Sequence, residues 1–123
     1  MMSGQRIRDR LGQIRDALSA IERLTAGKSL DDYAAEPDLA AAVERYLERL
    51  SEASRHVPDA LKEKHANIDW RGVADVGNVL RHAYDQVMDH LVWQIVTADL
   101  APLKAAVVSH PVPWTQVCVM RRP

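Results

Sequence analysis

The sequence predicts an all-α protein, an antiparallel four-helix-type bundle with short extra helices. Three observations carry the helical expectation. Apolar residues recur at steps of three and four through most of the chain. Phe is absent and aromatics make up only 5%, so the core must be built from aliphatic side chains, which suits helix-on-helix packing better than a β-sandwich. Turn-forming residues stand between the periodic segments, leaving short connections of the kind that join antiparallel neighbours.

The first segment carries Ile7, Leu11, Ile14, Leu18, Ile21 and Leu24 on one stripe, with charged residues on the other faces and Gly27 as its stop. Ser29, followed by Asp31 and Asp32, is expected to cap a short helix through Ala35. Pro37 suits the first turn of the next helix, whose stripe is Leu39, Ala42, Val43, Tyr46, Leu47, Leu50 and Ala53 and which is expected to reach about His56 before Pro58 breaks it. A helical piece from Asp59 to His65 and a polar loop follow. Asp69 is the expected N-cap of a helix from Trp70 to about Tyr84. Asp89 is the expected cap of the last helix, whose stripe runs from Leu91 through Val107 and which Pro102 should kink or interrupt. The domain expectation is a bundle over residues 1–109 and an irregular tail over 110–123, whose three prolines break any helical period.

A chain of 123 residues makes one domain. Hydrophobic residues at 47% and charged residues at 27% are the mixture of a soluble globular protein. The formal charge of −1 gives no basic surface for broad electrostatic capture of nucleic acid, although it leaves room for a local cleft. Cys118 is single and sits between two valines, so neither a disulfide nor an activated thiol is expected. The five histidines never pair at metal-ligand spacing, and the glycines are too scattered for a phosphate loop. No metal and no cofactor are therefore expected. The N-terminus enters charged sequence directly and no apolar run reaches the ~20 residues of a membrane span; no membrane contact and a cytoplasmic location are expected.

One helix carries polar residues that packing does not require. Arg71, Asp75, Asn78 and His82 are spaced four, three and four apart and form one stripe of the Trp70–Tyr84 helix, while Trp70, Val73, Val76, Leu80 and Tyr84 fall on other faces. A solvated face is the ordinary reading of such a stripe. Two residues argue against it: Asn is a poor mid-helix residue unless its amide is used, and Gly77 costs about 1 kcal/mol relative to Ala in a helix interior. A glycine there often marks the close approach of another backbone, either a second helix or a second subunit. A histidine on a ridge with Asp and Asn has the chemistry of a general base near neutral pH.

The stretch Asp69-Trp70-Arg71-Gly72-Val73-Ala74-Asp75-Val76-Gly77-Asn78-Val79-Leu80-Arg81-His82-Ala83-Tyr84, with Val92-Trp93-Gln94-Ile95-Val96-Thr97 and Asp99-Leu100-Ala101-Pro102-Leu103, resembles HepT-like proteins, the toxin components of HEPN/minimal-nucleotidyltransferase pairs. The resemblance extends back through Ile21-Glu22-Arg23, Thr25–Ser29 and Leu50–Ala53, over roughly residues 7 to 107. It implies a helical bundle that pairs as a homodimer, with a metal-independent ribonuclease centre in a composite cleft between the two copies. It also implies an Arg a few residues before His82, and a Tyr, here Tyr84, that a cognate nucleotidyltransferase antitoxin adenylylates to silence the toxin. On that pattern His82 assists attack of a ribose 2′-OH of RNA on the adjacent phosphate, and Asp75 and Asn78 orient the histidine or the substrate. The pattern departs at one position, where Gly77 stands in place of the Arg. Arg81, about 100° round the helix from His82, and Arg71, about 16 Å back along it, are the nearest replacements, and Arg81 is the one carried forward. The alternative is a catalytically silent binding subunit that partners the nucleotidyltransferase and holds its nucleotide or substrate, a reading that Gly77 favours.

Overall fold

The computed structural model describes residues 4–82 and 85–109. Among them helix is the only regular structure, in the order α1 (Gly4–Thr25), α2 (Leu30–Ala34), α3 (Pro37–Ser54), α4 (Asp59–Lys64), α5 (Trp70–His82), α6 (Asp85–Gln94), a π-helical turn (Ile95–Asp99) and α7 (Ala101–Ser109). Tyr84, Cys118 and the 110–123 tail lie outside the described residues.

The starts and stops follow from local chemistry. Gly27, at φ 71°, takes the left-handed conformation that ends α1 and that a Cβ would penalise. Ser29 then caps α2 reciprocally: its hydroxyl accepts from the Asp32 N–H at 3.1 Å, and the Asp32 carboxylate accepts from the Ser29 N–H at 2.9 Å. Those Ser29 bonds hold the Asp32 carboxyl below its ordinary value. Pro37 opens α3, where its missing N–H is no loss. At the head of α5 the Asp69 Oδ1 accepts from the Gly72 N–H at 3.0 Å, as an N-cap should. A Cβ at Gly72 would collide with the Asp69 carboxylate, so glycine there is what lets the cap close.

α3 is the central element, packed on α1 along one side and α5 along another. Val43, Leu47 and Leu50 of α3 are wholly buried, as is Ile14 of α1. Leu11, Leu18 and Ile21 complete the α1 side, and Val73, Val76 and Leu80 complete the α5 side. Truncating a side chain such as Leu47 to Ala would cost about 2–5 kcal/mol through lost transfer energy and a residual cavity. Val92, Ile95, Leu100 and Leu103 close the bundle from the C-terminal half. There α6 lies against α2, where the Trp93 and Tyr33 rings meet with centroids 5.5 Å apart.

One expectation about the C-terminal half needs correction, and another takes a specific form. Asp89 does not begin a helix: α6 is already running from Asp85, so Asp89 lies within it. An aspartate is compatible with a helix interior when its carboxylate stays near the surface, and Asp89 is half-buried. The interruption expected at Pro102 divides the last helix into three pieces. The Leu100 N–H reaches the Ile95 carbonyl at 3.0 Å, an i→i+5 bond, and α7 restarts at Ala101 with Pro102 in its first turn. Proline cannot donate to the Ala98 carbonyl four residues back and its ring would crowd it, so the turn widens ahead of it.

Candidate functional site

α5 is the helix on which the sequence placed the chemistry, and its two faces separate cleanly. Val73, Val76, Gly77 and Leu80 are buried, whereas Arg71, Asp75, Asn78, Arg81 and His82 are exposed. The stripe is therefore one continuous polar ridge. At 1.5 Å per residue, His82 lies about 10 Å along the axis from Asp75 and about 6 Å from Asn78. Among the described residues, Asp75, Asn78, Arg81 and His82 make no hydrogen bond or ion pair with one another or with any other group. The structure thus brings Asp75, Asn78 and His82 onto one face, with Arg81 about 100° round the helix, without placing Asp75 or Asn78 on the His82 ring.

Position 77 faces α3. Building a Cβ on Gly77 would bring it to 3.7 Å from an Arg81 terminal nitrogen and 3.8 Å from Ser51 Oγ, which is ordinary van der Waals contact. No backbone of another helix approaches within 4 Å of that point. The expected close backbone approach is accordingly not made within this chain. What occupies the space beside Gly77 is the guanidinium of Arg81, one turn on. A helical side chain leans toward the N-terminus and covers the turn before its own Cα, so an arginine at 81 lies over position 77 by geometry.

The back of α5 is fixed by polar groups that the sequence reading did not single out. Ser51 Oγ donates to the Ala74 carbonyl at 2.8 Å and sits 3.4 Å from the Gly77 N–H, which donates to it. Arg55 donates to the same Ala74 carbonyl through Nε at 3.1 Å and Nη2 at 2.8 Å. Ser54 Oγ in turn donates to the Ser51 carbonyl at 2.6 Å. Ser51 and Ser54 are both buried, so these bonds form where water is excluded and an unmade one is expensive. Together they fix the rotation of α5 against α3, and hence which residues face outward. The available signal was two serines beside the Leu47–Leu50–Ala53 stripe, with a glycine on the facing helix.

The N-terminal end of the ridge is held from below. Trp70 Nε1 donates to the His65 carbonyl at 3.1 Å, and the Lys62 ammonium lies 5.9 Å from the Trp70 ring centroid. Trp70 is therefore a packing anchor with a satisfied N–H. Beside it, an open groove of about 590 Å³ is lined by Arg55, Asp69, Arg71, Gly72, Ala74 and Asp75. A more enclosed cleft of about 340 Å³ lies elsewhere, between α1 and α3, where Arg45 pairs with Glu48 at 3.7 Å and Arg15 with the lining residue Asp16 at 3.2 Å. It lies away from the polar ridge, whereas the groove at Arg71 and Asp75 is on the same face of α5 as His82. No group of three His, Cys, Asp or Glu side chains among the described residues is arranged to hold a metal ion, and no described helix is long and apolar enough to cross a membrane.

Comparison with known proteins bears on this ridge. A family model described as Ribonuclease HepT-like matches residues 14–109. The chain is 34% identical over 97 residues to a probable ribonuclease HepT of Thermococcus cleftensis, covering 79% of this chain and 88% of that one. It is 31% identical over 87 residues to a putative RNase of Caldanaerobacter subterraneus subsp. tengcongensis, covering 71% and 77%. A protein of Methanocaldococcus jannaschii named gamma-glutamylcyclotransferase and putative RNase is 32% identical over 94 residues, 76% of this chain but 42% of that protein. No solved structure matches the chain.

Proposed function

The chain belongs to the HepT-like ribonuclease family, and from that premise we propose that it is a metal-independent endoribonuclease whose site is the α5 ridge, completed by the same ridge of a second copy. The observation that carries this reading is the exposed His82 at the C-terminal end of α5, with the Arg81 guanidinium lying back over the Gly77 position.

In this reading His82 accepts the proton of a ribose 2′-OH as that oxygen attacks the adjacent phosphorus. The P–O5′ bond then breaks, and the leaving 5′-oxygen takes its proton from solvent water. The products are a 2′,3′-cyclic phosphate and a 5′-hydroxyl end. Charge builds on the phosphorane oxygens between those events, and a preorganised guanidinium aimed there is worth several kcal/mol of transition-state stabilisation. We assign that role to Arg81: the family pattern puts the cation at position 77, and a terminal nitrogen of Arg81 lies 3.7 Å from the point a Cβ at Gly77 would occupy. Asn78 and Asp75, which do not touch the His82 ring, position the RNA and not the base catalyst.

Among the described residues the ridge lies on an exposed helix face, which is the physical case for a homodimer that encloses the phosphate between two ridges. The proposal includes the family's regulation: a minimal nucleotidyltransferase antitoxin that places AMP on Tyr84 and so silences the ribonuclease. Incubating the chain with that partner and ATP, followed by peptide mass spectrometry, would find the AMP on Tyr84 and restored RNA survival. Unmodified Tyr84 with RNA still protected would oppose adenylylation as the mechanism.

The second reading, a silent binding subunit for the nucleotidyltransferase, is favoured by Gly77 alone. Purified chain incubated with RNA separates the two: cleavage that disappears in His82→Ala supports the enzyme, and intact RNA at all protein concentrations supports the binding subunit. Gly77→Arg, which restores an arginine to the family position, should raise cleavage if the guanidinium is what limits the rate.

A further inference from the structure

The groove at the head of α5 has a composition that catalysis at His82 does not explain. Two of its four charged groups are committed inward. Arg55 grips the Ala74 carbonyl through Nε and Nη2, and the Asp69 carboxylate caps the Gly72 N–H. The other two are not. Arg71 and Asp75 are exposed, one turn apart on one face, and neither pairs with the other or with any described residue. Opposite charges at this spacing commonly pair across a helix. Here they leave a donor fork and a two-oxygen acceptor open to the same groove of about 590 Å³.

That combination selects among ligands. A bare phosphate would meet the carboxylates of Asp69 and Asp75, and a bare cation would meet the guanidiniums of Arg55 and Arg71. A planar group carrying two adjacent acceptors on one edge and two adjacent donors on the next satisfies both. Guanine is such a group: O6 and N7 take an arginine fork bidentately, and N1–H with the N2 amine gives a carboxylate two donors. Uracil has no N7 and no exocyclic amine, and adenine presents a single acceptor beside its N6 donor on the edge an arginine would read. Gly72 keeps the wall between Asp69 and Ala74 low, since a side chain there would collide with Asp69. The groove also lies on the line of the proposed chemistry. Asp75 is about 10 Å along α5 from His82, the length of about three stacked nucleotides.

We propose that the Arg71–Asp75 groove is a base-recognition subsite that reads a guanine of single-stranded RNA within a few nucleotides of the scissile phosphate. Single-stranded RNA suits it because unstacked bases expose these edges. The inference rests on the RNA-cleavage reading, and its test separates the two. The full-length chain is titrated, with fluorescence anisotropy as readout, into labelled 2′-O-methyl uridine oligonucleotides carrying one guanosine, inosine, 7-deazaguanosine or adenosine. The 2′-O-methyl groups prevent cleavage without altering the base edges. The guanosine oligonucleotide should bind about tenfold tighter than the adenosine one. Inosine lacks the N2 amine and should lose affinity unless Asp75→Ala has already removed its acceptor. The 7-deaza base lacks the N7 acceptor and should lose affinity unless Arg71→Ala has already removed its donor. Both substitutions are on the exposed face, and far-UV circular dichroism checks that the helices persist. Equal binding of all four oligonucleotides, or a guanine preference that survives both substitutions, overturns the subsite. Ribose RNA is digested in parallel: cleavage without guanine preference overturns the subsite alone, and absence of both binding and cleavage overturns the subsite and the ribonuclease reading together.

Discussion

Replacing Gly77 by Ala should stabilise the protein, although Gly77 is buried and stands in the middle of the helix that carries the proposed site. The added Cβ would meet only Arg81 Nη1 at 3.7 Å and Ser51 Oγ at 3.8 Å, both ordinary contact distances. The Ser51 hydroxyl keeps its 2.8 Å bond to the Ala74 carbonyl, because nothing has to move to admit a methyl group. Against that null steric term stands the helix propensity of alanine over glycine, about 0.8–1 kcal/mol in a helix interior, most of it from the smaller conformational freedom of the unfolded chain. A net gain of about 0.5–1 kcal/mol is expected, or roughly 2–6 °C in midpoint for a domain of this size. Urea unfolding followed by far-UV circular dichroism at fixed protein concentration measures it, with an unchanged slope showing that the change is in stability. A loss of stability would refute the reasoning, because it would mean that something beyond those two side-chain atoms presses on position 77.

Other outcomes follow from the same structure. Ser51→Ala removes the hydroxyl that joins α3 to α5 and should cost about 1–3 kcal/mol, measured by the same unfolding curves, with Ser51→Thr less informative because its added methyl changes the packing. Tyr33 is wholly buried and, among the described residues, its hydroxyl has no hydrogen-bond partner. Tyr33→Phe should therefore be neutral or stabilising near neutral pH, by up to about 1–2 kcal/mol. Burial, with help from the nearby Glu44 and Asp89 carboxylates, pushes the Tyr33 hydroxyl pKa well above its ordinary 10.0. The folded state thus holds that proton more tightly than the unfolded chain, so the contribution is complete below pH 10.0 and is lost as pH rises beyond it. An alkaline melting series should show a steeper decline for the parent chain than for Tyr33→Phe, and parallel curves would contradict this. Arg81→Ala should lower single-turnover RNA cleavage by about 10²–10³-fold, and cleavage at the parent rate would remove Arg81 from the proposed site.

What the sequence could reveal depended on how far apart the cooperating residues lie. Caps are local: Ser29 with Asp32, Pro37 at the start of α3 and Asp69 before Gly72 all act within three residues, and each is where the sequence placed it. Apolar periodicity located α1, α3 and α5 for the same reason, because one stripe reports one helix. The failures lie at longer range or in finer geometry. Asp89 had the side chain of a cap, but helix already runs from Asp85 through it, so residue type alone misplaced the start. Pro102 announced an interruption without its form, which depended on the Leu100 N–H finding the Ile95 carbonyl. The Ser51–Ala74–Arg55 link joins residues 19 and 23 positions apart, beyond the reach of any local pattern. Within the site, the polar stripe was legible from spacing. The lean of Arg81 over Gly77 was available from helix geometry, and viewing the helix only as angles around its axis hides it.

The proposed chemistry is centred on His82. Single-stranded RNA incubated with the chain in excess chelator should be cut to fragments ending in 2′,3′-cyclic phosphate. Cutting should fall to background in His82→Ala, and also at a site whose 2′-OH has been replaced by hydrogen. Cleavage that persists in His82→Ala, or at the 2′-deoxy position, would contradict it.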